Sequence, residues 1–288
     1  MTDGSPPLPA AWSGRSAAQW AAYIGVPRIE IHASLPSTNR WLLEQVGSGL
    51  EPFTTVVAGT QTQGRGRVGR AWHSPEGAGL WLSILVPPGP GGEVGVLPLA
   101  VGVAAAEALE RFVPAPVGLK WPNDLLIRDR KVAGILCEGV PEPDGRGVVV
   151  GIGINVRRPD GGYPKELEGS VGTLEGEGGR PVSEPELARA FVRSLRRHAS
   201  PPPPRLTGPL RVAWDGRDRL RGQDVRMERG VEGRVVGVTD DGSLEIREES
   251  GRTVLARAGT VRLTSAGASA ALHGHGEGET GGRPGKGA

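Results

Sequence analysis

The segment TQTQGRGRVGRAW, Thr60 to Trp72, is the part of this chain from which its fold is best inferred. It places three Gly and three Arg within seven residues, from Gly64 to Arg70, directly after the β-branched run Thr54 to Val57. Glycine lets backbone N–H groups approach a ligand closely, and the guanidinium fork of Arg matches the oxygens of carboxylates and phosphates. The segment therefore predicts a loop that binds an anion.

Three other interpretations of this segment compete with that one. Its glycines fit the dinucleotide-binding pattern G-x-G-x-x-G, but that pattern requires a following helix, and here Ala71 to Gly79 leads into the strand-like LWLSILV. A Walker A loop needs Lys and then Ser or Thr after its last Gly, where this chain has Arg70 and Ala71. A solvated Arg/Gly surface loop without a ligand stays open on these residues alone.

The composition predicts a soluble, cytoplasmic protein. The chain has 288 residues, enough for one or two domains, and a formal net charge of only +2. No predicted helix carries a basic stripe, so charge predicts no DNA partner. The single Cys, Cys137, excludes an intramolecular disulfide and lies in the apolar run GILCEG, where a buried residue is expected rather than a nucleophile. Without a signal-peptide core or a membrane-spanning run, no membrane partner is expected.

The first half of the chain alternates predicted strands and helices. Residues 1–27 are rich in Pro, Gly, Ser and Ala and predict a poorly structured extension with one short helix near Ser16 to Ile24. The alternating RIEIH, Arg28 to His32, predicts the first strand, and Ser37 or Thr38 is the predicted N-cap of the helix that contains RWLLEQV. Further strands are predicted near 53–60 and 79–86, and a buried helix at Leu97 to Val113.

A second informative segment is LKWPNDLLIRDRKVAGILCEG, Leu119 to Gly139. Its PND and DRK triplets form turns and predict a hairpin flanked by Lys120 and Lys131, with Asp124 near its base. Taken alone, these residues are explained equally well as charges and turn formers of a hairpin. The following GVVVGIGINV, Gly147 to Val156, predicts a buried strand whose internal glycines allow close backbone approach.

The last third predicts one amphipathic helix and a small β module. Ser183 and Glu186 form a capping box before the helix Leu187 to His198, and four prolines at 201–204 make a stiff break. From Gly222 to Leu263 short alternating strands are separated by Gly-containing turns, as in a small SH3-type barrel. Residues 265–288 have the composition of a disordered tail.

Several motifs occur together in a fixed order: GRGRVGRAW, KWPND, RKVAGIL and VVVGIGINV, followed by AWDGRDRL and the predicted barrel. In this combination residues 28–264 resemble the biotin-protein ligases. The resemblance implies an α+β fold, with a mixed sheet and packed helices of the class II aminoacyl-tRNA synthetase type, plus a small SH3-like β-barrel. It implies a catalytic domain at 28–205 and a C-terminal domain at 206–264, between the extension 1–27 and the tail 265–288.

The resemblance also implies an activity. Such ligases join the carboxylate of biotin to ATP, which gives biotinyl-5'-AMP and pyrophosphate, and then transfer biotin to a lysine of the biotin carboxyl carrier domain of a carboxylase. Mg²⁺ is the implied metal, held largely by phosphates. The short N-terminal region implies a monofunctional ligase, either a monomer or a homodimer, without the DNA-binding domain of some family members.

Site residues are carried over on the matching motifs. Those expected to bind biotin are Ser37, Thr38, Asn39, Gln61, Arg65, Gly66, Arg67, Trp72, Lys131, Gly134 and Gly153. Those expected to bind ATP are Arg67, Arg70, Trp72, Lys120, Asn123, Lys131, Asn155 and Trp214, the last by stacking on adenine. The expected catalytic residues are Arg67, Lys131, Lys120 and Asp124, and the expected protein ligands of Mg²⁺ are Asn123 and Asp124. Attack of one anion on another requires neutralised charge more than a protein nucleophile, which fits this set.

Two other functions remain open beside this one. A lipoate-protein ligase or octanoyltransferase shares the catalytic fold, although GRGRVGRAW together with the barrel favours biotin. A non-catalytic sensor of biotinyl adenylate would need a DNA-reading element, which the sequence does not indicate. Val68 stands where some relatives have a basic residue, so the loop carries one positive charge fewer.

Overall fold

The computed structural model describes residues 8–89, 94–140, 147–178, 180–228 and 230–264. These residues form two compact units. The first unit runs up to Arg219 and includes Val238–Ser243, and the second comprises Leu220–Gly237 and the chain from Leu244 onward. The predicted tail at 265–288, the first seven residues of the predicted extension and part of the turn after the third strand lie outside the described residues.

The first unit is built on a seven-stranded mixed sheet. Its strands are β1 (Ile29–Leu35), β2 (Thr55–Gln61), β3 (Gly79–Val86), β4 (Gly118–Lys120), β5 (Asp124–Ile127), β6 (Arg130–Gly139) and β7 (Val148–Asn155). They are arranged in the order β1-β2-β3-β7-β6-β5-β4, with β1 and β2 parallel and every other neighbouring pair antiparallel. The central strands β3 and β7 are almost continuous apolar runs because helices or loops cover both of their faces.

Helices pack on both faces of this sheet. They are α1 (Ala17–Ile24), α2 (Thr38–Gln45), α3 (Leu97–Leu109), α4 (Leu174–Gly178), α5 (Glu184–Ala199) and α6 (Gly208–Asp215). The apolar helix α3 is buried almost all round and packs against α5 and β6. On the opposite face, Leu42 of α2 packs against Val56, Leu85 and Val149. The two faces of the sheet thus meet different helices.

Local signals in the sequence place the helix starts correctly. The side chain of Ser16 accepts a hydrogen bond from Gln19 N, and Gln19 accepts one from Ser16 N, which completes a capping box at α1. Ser37 caps α2, and Ser183 caps α5. The predicted helix N-termini in these three places are confirmed.

The prediction of a poorly structured N-terminal extension is wrong for residues 8–27, apart from the one short helix that was expected there. A short 3₁₀ turn at Ala10–Trp12 precedes α1, and Trp12, Trp20 and Ile24 are all buried. The indole N–H of Trp20 donates to Trp12 O at 2.9 Å, and the two rings meet edge to face. Burying two large aromatic side chains outweighs the weak local propensity of a segment rich in Pro, Gly and Ser.

The second unit is a five-stranded antiparallel sheet. Its strands are β8 (Asp224–Met227), β9 (Glu232–Val238), β10 (Leu244–Arg247), β11 (Thr253–Ala256) and β12 (Val261–Leu263), in the order β11-β10-β9-β8-β12. Alternate residues such as Val225, Val235 and Ile246 are buried and form the core of this unit. With the mixed sheet of the first unit, this confirms the predicted α+β class. None of the helices in the described ranges combines the length and apolar character that crossing a membrane requires.

Candidate active site

One face of the seven-stranded sheet carries a transverse row of predicted site residues. Lys120 lies opposite Asp124, Asp124 opposite Gly134, and Gly134 opposite Gly153 in three successive antiparallel pairs. Directly paired residues of neighbouring strands point to the same side of a sheet. The three consecutive antiparallel strands β4, β5 and β6, together with the glycine-containing strand β7, therefore bring these four predicted site residues together on one face.

Lys131 joins this row because the ladder between β5 and β6 contains a bulge. The register shifts between Leu125 and Leu126, so that Leu126 lies opposite Lys131. In an unbroken ladder, Lys131 and Gly134 would point to opposite faces, since they are an odd number of residues apart. The bulge turns Lys131 towards Asp124, and its Nζ lies 2.6 Å from Asp124 Oδ1.

The backbone of Lys131 is held from two further sides. Its N–H donates to Ser170 O at 2.9 Å, and its carbonyl accepts from Gly172 N at 3.0 Å. The same carbonyl accepts from Asn155 Nδ2 at 3.3 Å, and Asn155 is buried at the end of β7. In this structure the side chain of Asn155 therefore positions Lys131.

The ring of Trp72 lies flat on the two paired glycines of the row. A Cβ on Gly153 would lie 2.3 Å from Trp72 Nε1, and a Cβ on Gly134 would lie 2.8 Å from Trp72 Cζ3. Lys131 Nζ stands 5.0 Å from the ring centroid, within the range of a cation–π contact. Among the described residues, no acceptor lies within hydrogen-bond distance of the buried Trp72 Nε1. Such a donor is expected to be satisfied by a ligand or by water.

The Arg/Gly loop is a closed turn rather than the start of a helix. Isolated bridges pair Gln61 with Ser74 and Arg65 with Ala71, and Trp72 N donates to Gly64 O at 2.8 Å. Gly64 is required by this approach, since a Cβ there would lie 2.3 Å from the carbonyl oxygen of Trp72. Only a three-residue 3₁₀ turn, Arg67–Gly69, lies inside the loop. The dinucleotide-binding interpretation is wrong, because no α-helix begins here.

The three arginines of the loop differ in their surroundings. Arg65 is partly exposed and forms an ion pair with Glu138 at 2.8 Å. Arg67 is half-buried, and burial lowers the pKa of its guanidinium, while Asp124 and Cys137 act in the opposite direction. Arg70 is exposed. Burial raises the pKa of the Cys137 thiol to about 12, so this thiol is protonated at neutral pH and is not a nucleophile.

A hydrogen-bonded polar network lies at the start of α2. Thr38 N donates to Gln61 Oε1 at 2.9 Å, and Gln61 Nε2 donates to Ser74 Oγ at 2.9 Å. Ser83 Oγ lies 2.7 Å from Thr38 Oγ1 and 2.6 Å from Asn39 Oδ1. The structure thus joins three of the predicted biotin-binding residues through two serines that sequence reasoning missed.

Two predicted residues do not face this site as expected. Asn123 Nδ2 donates to Ile135 O at 2.8 Å, so its amide group fastens the start of β5 to β6. Trp214 is 2% exposed and lies on the other face of the sheet: a Cβ on Gly102 of α3 would meet both Trp214 Cζ3, at 3.7 Å, and Ile135 Cδ1, at 3.9 Å. The sheet separates Trp214 from Trp72, and this position does not support the expected contact with adenine.

The missed residues share a signal that is visible in the sequence. Ser83 interrupts the apolar run LWLSILV, and Glu138 follows the apolar run VAGILC. A polar side chain within a buried strand must find a hydrogen-bond partner, so such an interruption indicates a polar network.

Comparisons with known proteins agree with this arrangement. Residues 31–155 match the Biotin/lipoate A/B protein ligase family, and residues 221–263 match the Biotin protein ligase C terminal domain. The chain is 33% identical over 252 residues to the Biotin--[acetyl-CoA-carboxylase] ligase of Mycobacterium tuberculosis, an alignment that covers 82% of this chain and 89% of that protein. It is 30% identical to the Bifunctional ligase/repressor BirA of Bacillus subtilis, over 76% of this chain and 69% of that protein.

A solved structure shows the same fold. It is a biotin protein ligase from Aquifex aeolicus in complex with biotin and ATP, 29% identical to this chain, with a TM-score of 0.68. The match covers 80% of this chain and 97% of that chain. The matched residues 31–155 lie in the first unit, and most of the matched residues 221–263 lie in the second.

Proposed function

The chain belongs to the biotin protein ligases of the Biotin/lipoate A/B protein ligase family, and we propose that it uses ATP to attach biotin to a lysine of a biotin carboxyl carrier domain, through biotinyl-5'-AMP. The observation that carries this proposal is the row of charged and glycine residues on one sheet face beside the Arg/Gly loop. This row supplies positive charge for an anionic reacting centre, and its two glycines leave room for the flat ring of Trp72 to pack on the strand backbone. The exchange experiment below tests the proposal.

The polar network at the start of α2 is the proposed seat of the biotin head. The ureido ring of biotin offers one carbonyl acceptor and two N–H donors, and it needs hydroxyl and amide groups in an otherwise apolar pocket. Thr38, Asn39 and Gln61 supply such groups, held by Ser83 and Ser74. The side chain of the predicted Ser37 accepts from Arg40 N, so we assign it to capping α2.

The charged row is the proposed reaction centre. Biotin's carboxylate must attack the α-phosphate of ATP, so two anions have to approach each other. Lys131 and Arg67 are the groups that we assign to neutralise this charge, with Lys120 adjacent in the row. We propose that Asp124 serves as the counter-ion of Lys131, because the two groups are 2.6 Å apart, and that it later faces the acceptor amine.

Exclusion of water is the proposed task of the loop. Biotinyl-5'-AMP is a mixed anhydride, which water hydrolyses unless the site is covered. The loop from Gly64 to Arg70 closes on itself through Gly66 N to Arg70 O at 2.7 Å, beside the wall formed by Trp72. Gly66 and Arg67 are therefore proposed to cover the carboxylate and phosphates, and Arg70 to contribute to ATP binding from the exposed side.

The residues present suit a Mg²⁺ ion that is held mainly by the nucleotide. Among the described residues, no group of three or more His, Cys, Asp or Glu side chains could hold a metal. Asp124 offers a carboxylate, which fits the one or two protein ligands that Mg²⁺ takes in nucleotide sites, whereas the amide of Asn123 is bonded to Ile135 O. When bound, the ion supplies positive charge to the phosphates.

ATP–pyrophosphate exchange with the purified protein tests this proposal directly. Biotin, lipoate and octanoate are compared as the carboxylate, each with Mg²⁺ and ATP. We expect exchange with biotin alone, followed by labelling of a single lysine when a biotin carboxyl carrier domain is added. Exchange that depends on lipoate instead would assign the protein to the sister branch of the family, and no exchange with any carboxylate would refute a ligase.

A further inference from the structure

A single carboxylate connects the Arg/Gly loop to the polar network. Glu138 Oε1 accepts from Arg65 Nη2 at 2.8 Å, and Glu138 Oε2 accepts from Asn39 Nδ2 at 2.8 Å. The Glu138 side chain is 20% exposed, and its bond to Asn39 is partly shielded from water, while its bond to Arg65 lies at the surface. None of the sequence motifs assigned a role to Glu138.

The bond to Asn39 fixes the direction of its amide. Because Nδ2 donates to Glu138 and to Leu136 O, at 3.2 Å, Oδ1 must face the Ser83 hydroxyl at 2.6 Å. The amide lies flat on β7, since a Cβ on Gly151 would be only 2.0 Å from Asn39 Oδ1. Glu138 and the Leu136 carbonyl together therefore determine which atoms of Asn39 and Ser83 donate and which accept.

The bonds to Glu138 fix the position of the Arg65 guanidinium group. Its Nη2 lies 2.8 Å from Glu138 Oε1, and its Nη1 lies 3.5 Å from Glu138 Oε2. Arg67, two residues later, is instead the more buried arginine and interacts electrostatically with Asp124. The two arginines thus have different tasks, one towards the strand β6 and one towards the reacting anions.

From this geometry we propose that Glu138 is a positioning residue that anchors the Arg/Gly loop through Arg65 and at the same time orients Asn39. The part of this proposal that concerns biotin binding rests on the proposed function, whereas the anchoring of the loop does not. Biotin binding is favoured because one carboxylate organises both the covering loop and the polar network before the ligand arrives. Arg65 then contributes to biotin binding through the position of its backbone.

Limited trypsin digestion tests the anchor without any ligand. Trypsin cleaves after Arg67 and Arg70, and peptides from these two bonds are identified by mass spectrometry. In Glu138→Gln the ion pair is lost while an oxygen remains for Asn39, so we expect cleavage in the loop to accelerate about fivefold, at the lower end of what such a bond is worth when partly exposed. The matched control is Glu44→Gln, which removes a carboxylate paired with Arg40 at the same type of distance, 2.7 Å, on the exposed side of α2.

A double-mutant cycle shows whether Glu138 acts through Arg65. We expect Arg65→Gln to accelerate cleavage after Arg67 and Arg70 as much as Glu138→Gln does, and the double variant to add nothing further. Loop cleavage of Glu138→Gln at the wild-type rate would overturn the anchor, as would additive effects of the two substitutions.

Exchange kinetics test the ligand-dependent half of the inference. We expect Glu138→Gln to raise the KM for biotin about fivefold and to speed the release of biotinyl-5'-AMP, with kcat at saturating biotin little changed. Glu138→Ala, which also removes one of the two acceptors of Asn39 Nδ2, should raise the KM further. Equal loss of kcat and kcat/KM in both variants would overturn a positioning role. If the wild type showed no biotin-dependent exchange, the proposed function would fail, while the digestion result would still decide the anchor.

Discussion

The contact of the Trp72 ring with Gly153 makes a single methyl group a sharp test of the site. In Gly153→Ala the new Cβ would lie 2.3 Å from Trp72 Nε1, 2.5 Å from Cε2 and 2.9 Å from Cζ2. Carbon atoms in contact prefer separations of about 3.5 Å, so the ring must move by about 1 Å. The new Cβ cannot move because it is attached to the backbone of β7, and the ring cannot slide along the strand because it also packs on Gly134.

The magnitude follows from this displacement. Overpacking by one methyl group costs about 1–3 kcal/mol of stability, and a misplacement of about 1 Å near a reacting centre costs up to about a hundredfold in rate. Trp72 forms the wall beside Lys131, whose Nζ lies 5.0 Å from the ring centroid. We therefore expect kcat/KM for biotin-dependent ATP–pyrophosphate exchange to fall between about tenfold and a hundredfold, with the fold retained in circular dichroism.

Gly139→Ala is the matched control for this experiment. It makes the same substitution on β6, at an exposed position where the new Cβ would have no neighbour nearer than 4.0 Å. A second test combines Gly153→Ala with Trp72→Leu: once the large ring is gone, the added methyl group should cost little beyond Trp72→Leu alone. If Gly153→Ala and Gly139→Ala had the same kcat/KM, the packing of Trp72 on Gly153 would not shape the site.

Four further predictions concern other groups of the first unit. Arg67→Ala should release biotinyl-5'-AMP into solution, measured as biotin labelling of exposed lysines on unrelated proteins, and retention of the intermediate at the wild-type level would contradict a clamp. Lys131→Ala should lower exchange by at least about a thousandfold, because the charge of the reacting carboxylate and phosphate would no longer be neutralised, while the melting temperature should change little because the ion pair with Asp124 is partly exposed. The pKa of Glu107 is lowered: burial opposes this, but hydrogen bonds from three side chains of α5 outweigh it. Glu107→Gln should therefore cost about 1–3 kcal/mol in urea unfolding at pH 7, and this difference should shrink as the pH falls from the ordinary Glu pKa of about 4.3 through the lowered pKa of Glu107. Cys137 should react with iodoacetamide at pH 8 about a thousandfold more slowly than a free thiol, since its pKa is raised to about 12, and rapid alkylation of the folded protein would refute this raised pKa.

Local chemistry explains what could be predicted from the sequence. The N-caps Ser37 and Ser183 and the apolar runs of β3 and β7 are signals that act over a few residues, and the structure bears them out. The order of the motifs along the chain predicted the fold class through the resemblance to a known family. The assignments of ligand-binding roles to individual residues stay predictions, to be decided by the experiments above.

Tertiary packing explains the features that could not be predicted from the sequence. The bulge that turns Lys131 towards Asp124 changes one register and reverses the face of a side chain, and no local pattern in RDRKVAG specifies it. Trp12 and Trp214 lie in segments of opposite appearance, one rich in Pro and Gly and one helical, yet both are buried. Which side of the sheet a tryptophan covers depends on the path of the whole chain, so the face on which Trp214 lies could not be predicted from its local sequence.

The spacing of the glycines on β7 bears on the choice of substrate. Gly151 underlies Asn39 in the polar network, and Gly153 underlies Trp72 beside the charged row. Two residues along a strand correspond to about 7 Å, so a polar region and a cationic region are separated by a short apolar floor. A ligand that suits both has a hydrogen-bonding head, an apolar link and a carboxylate, as biotin does. Octanoate has only the last two, and binding it would press an alkyl chain against Asn39 and Ser83, which costs hydration without supplying a hydrogen bond.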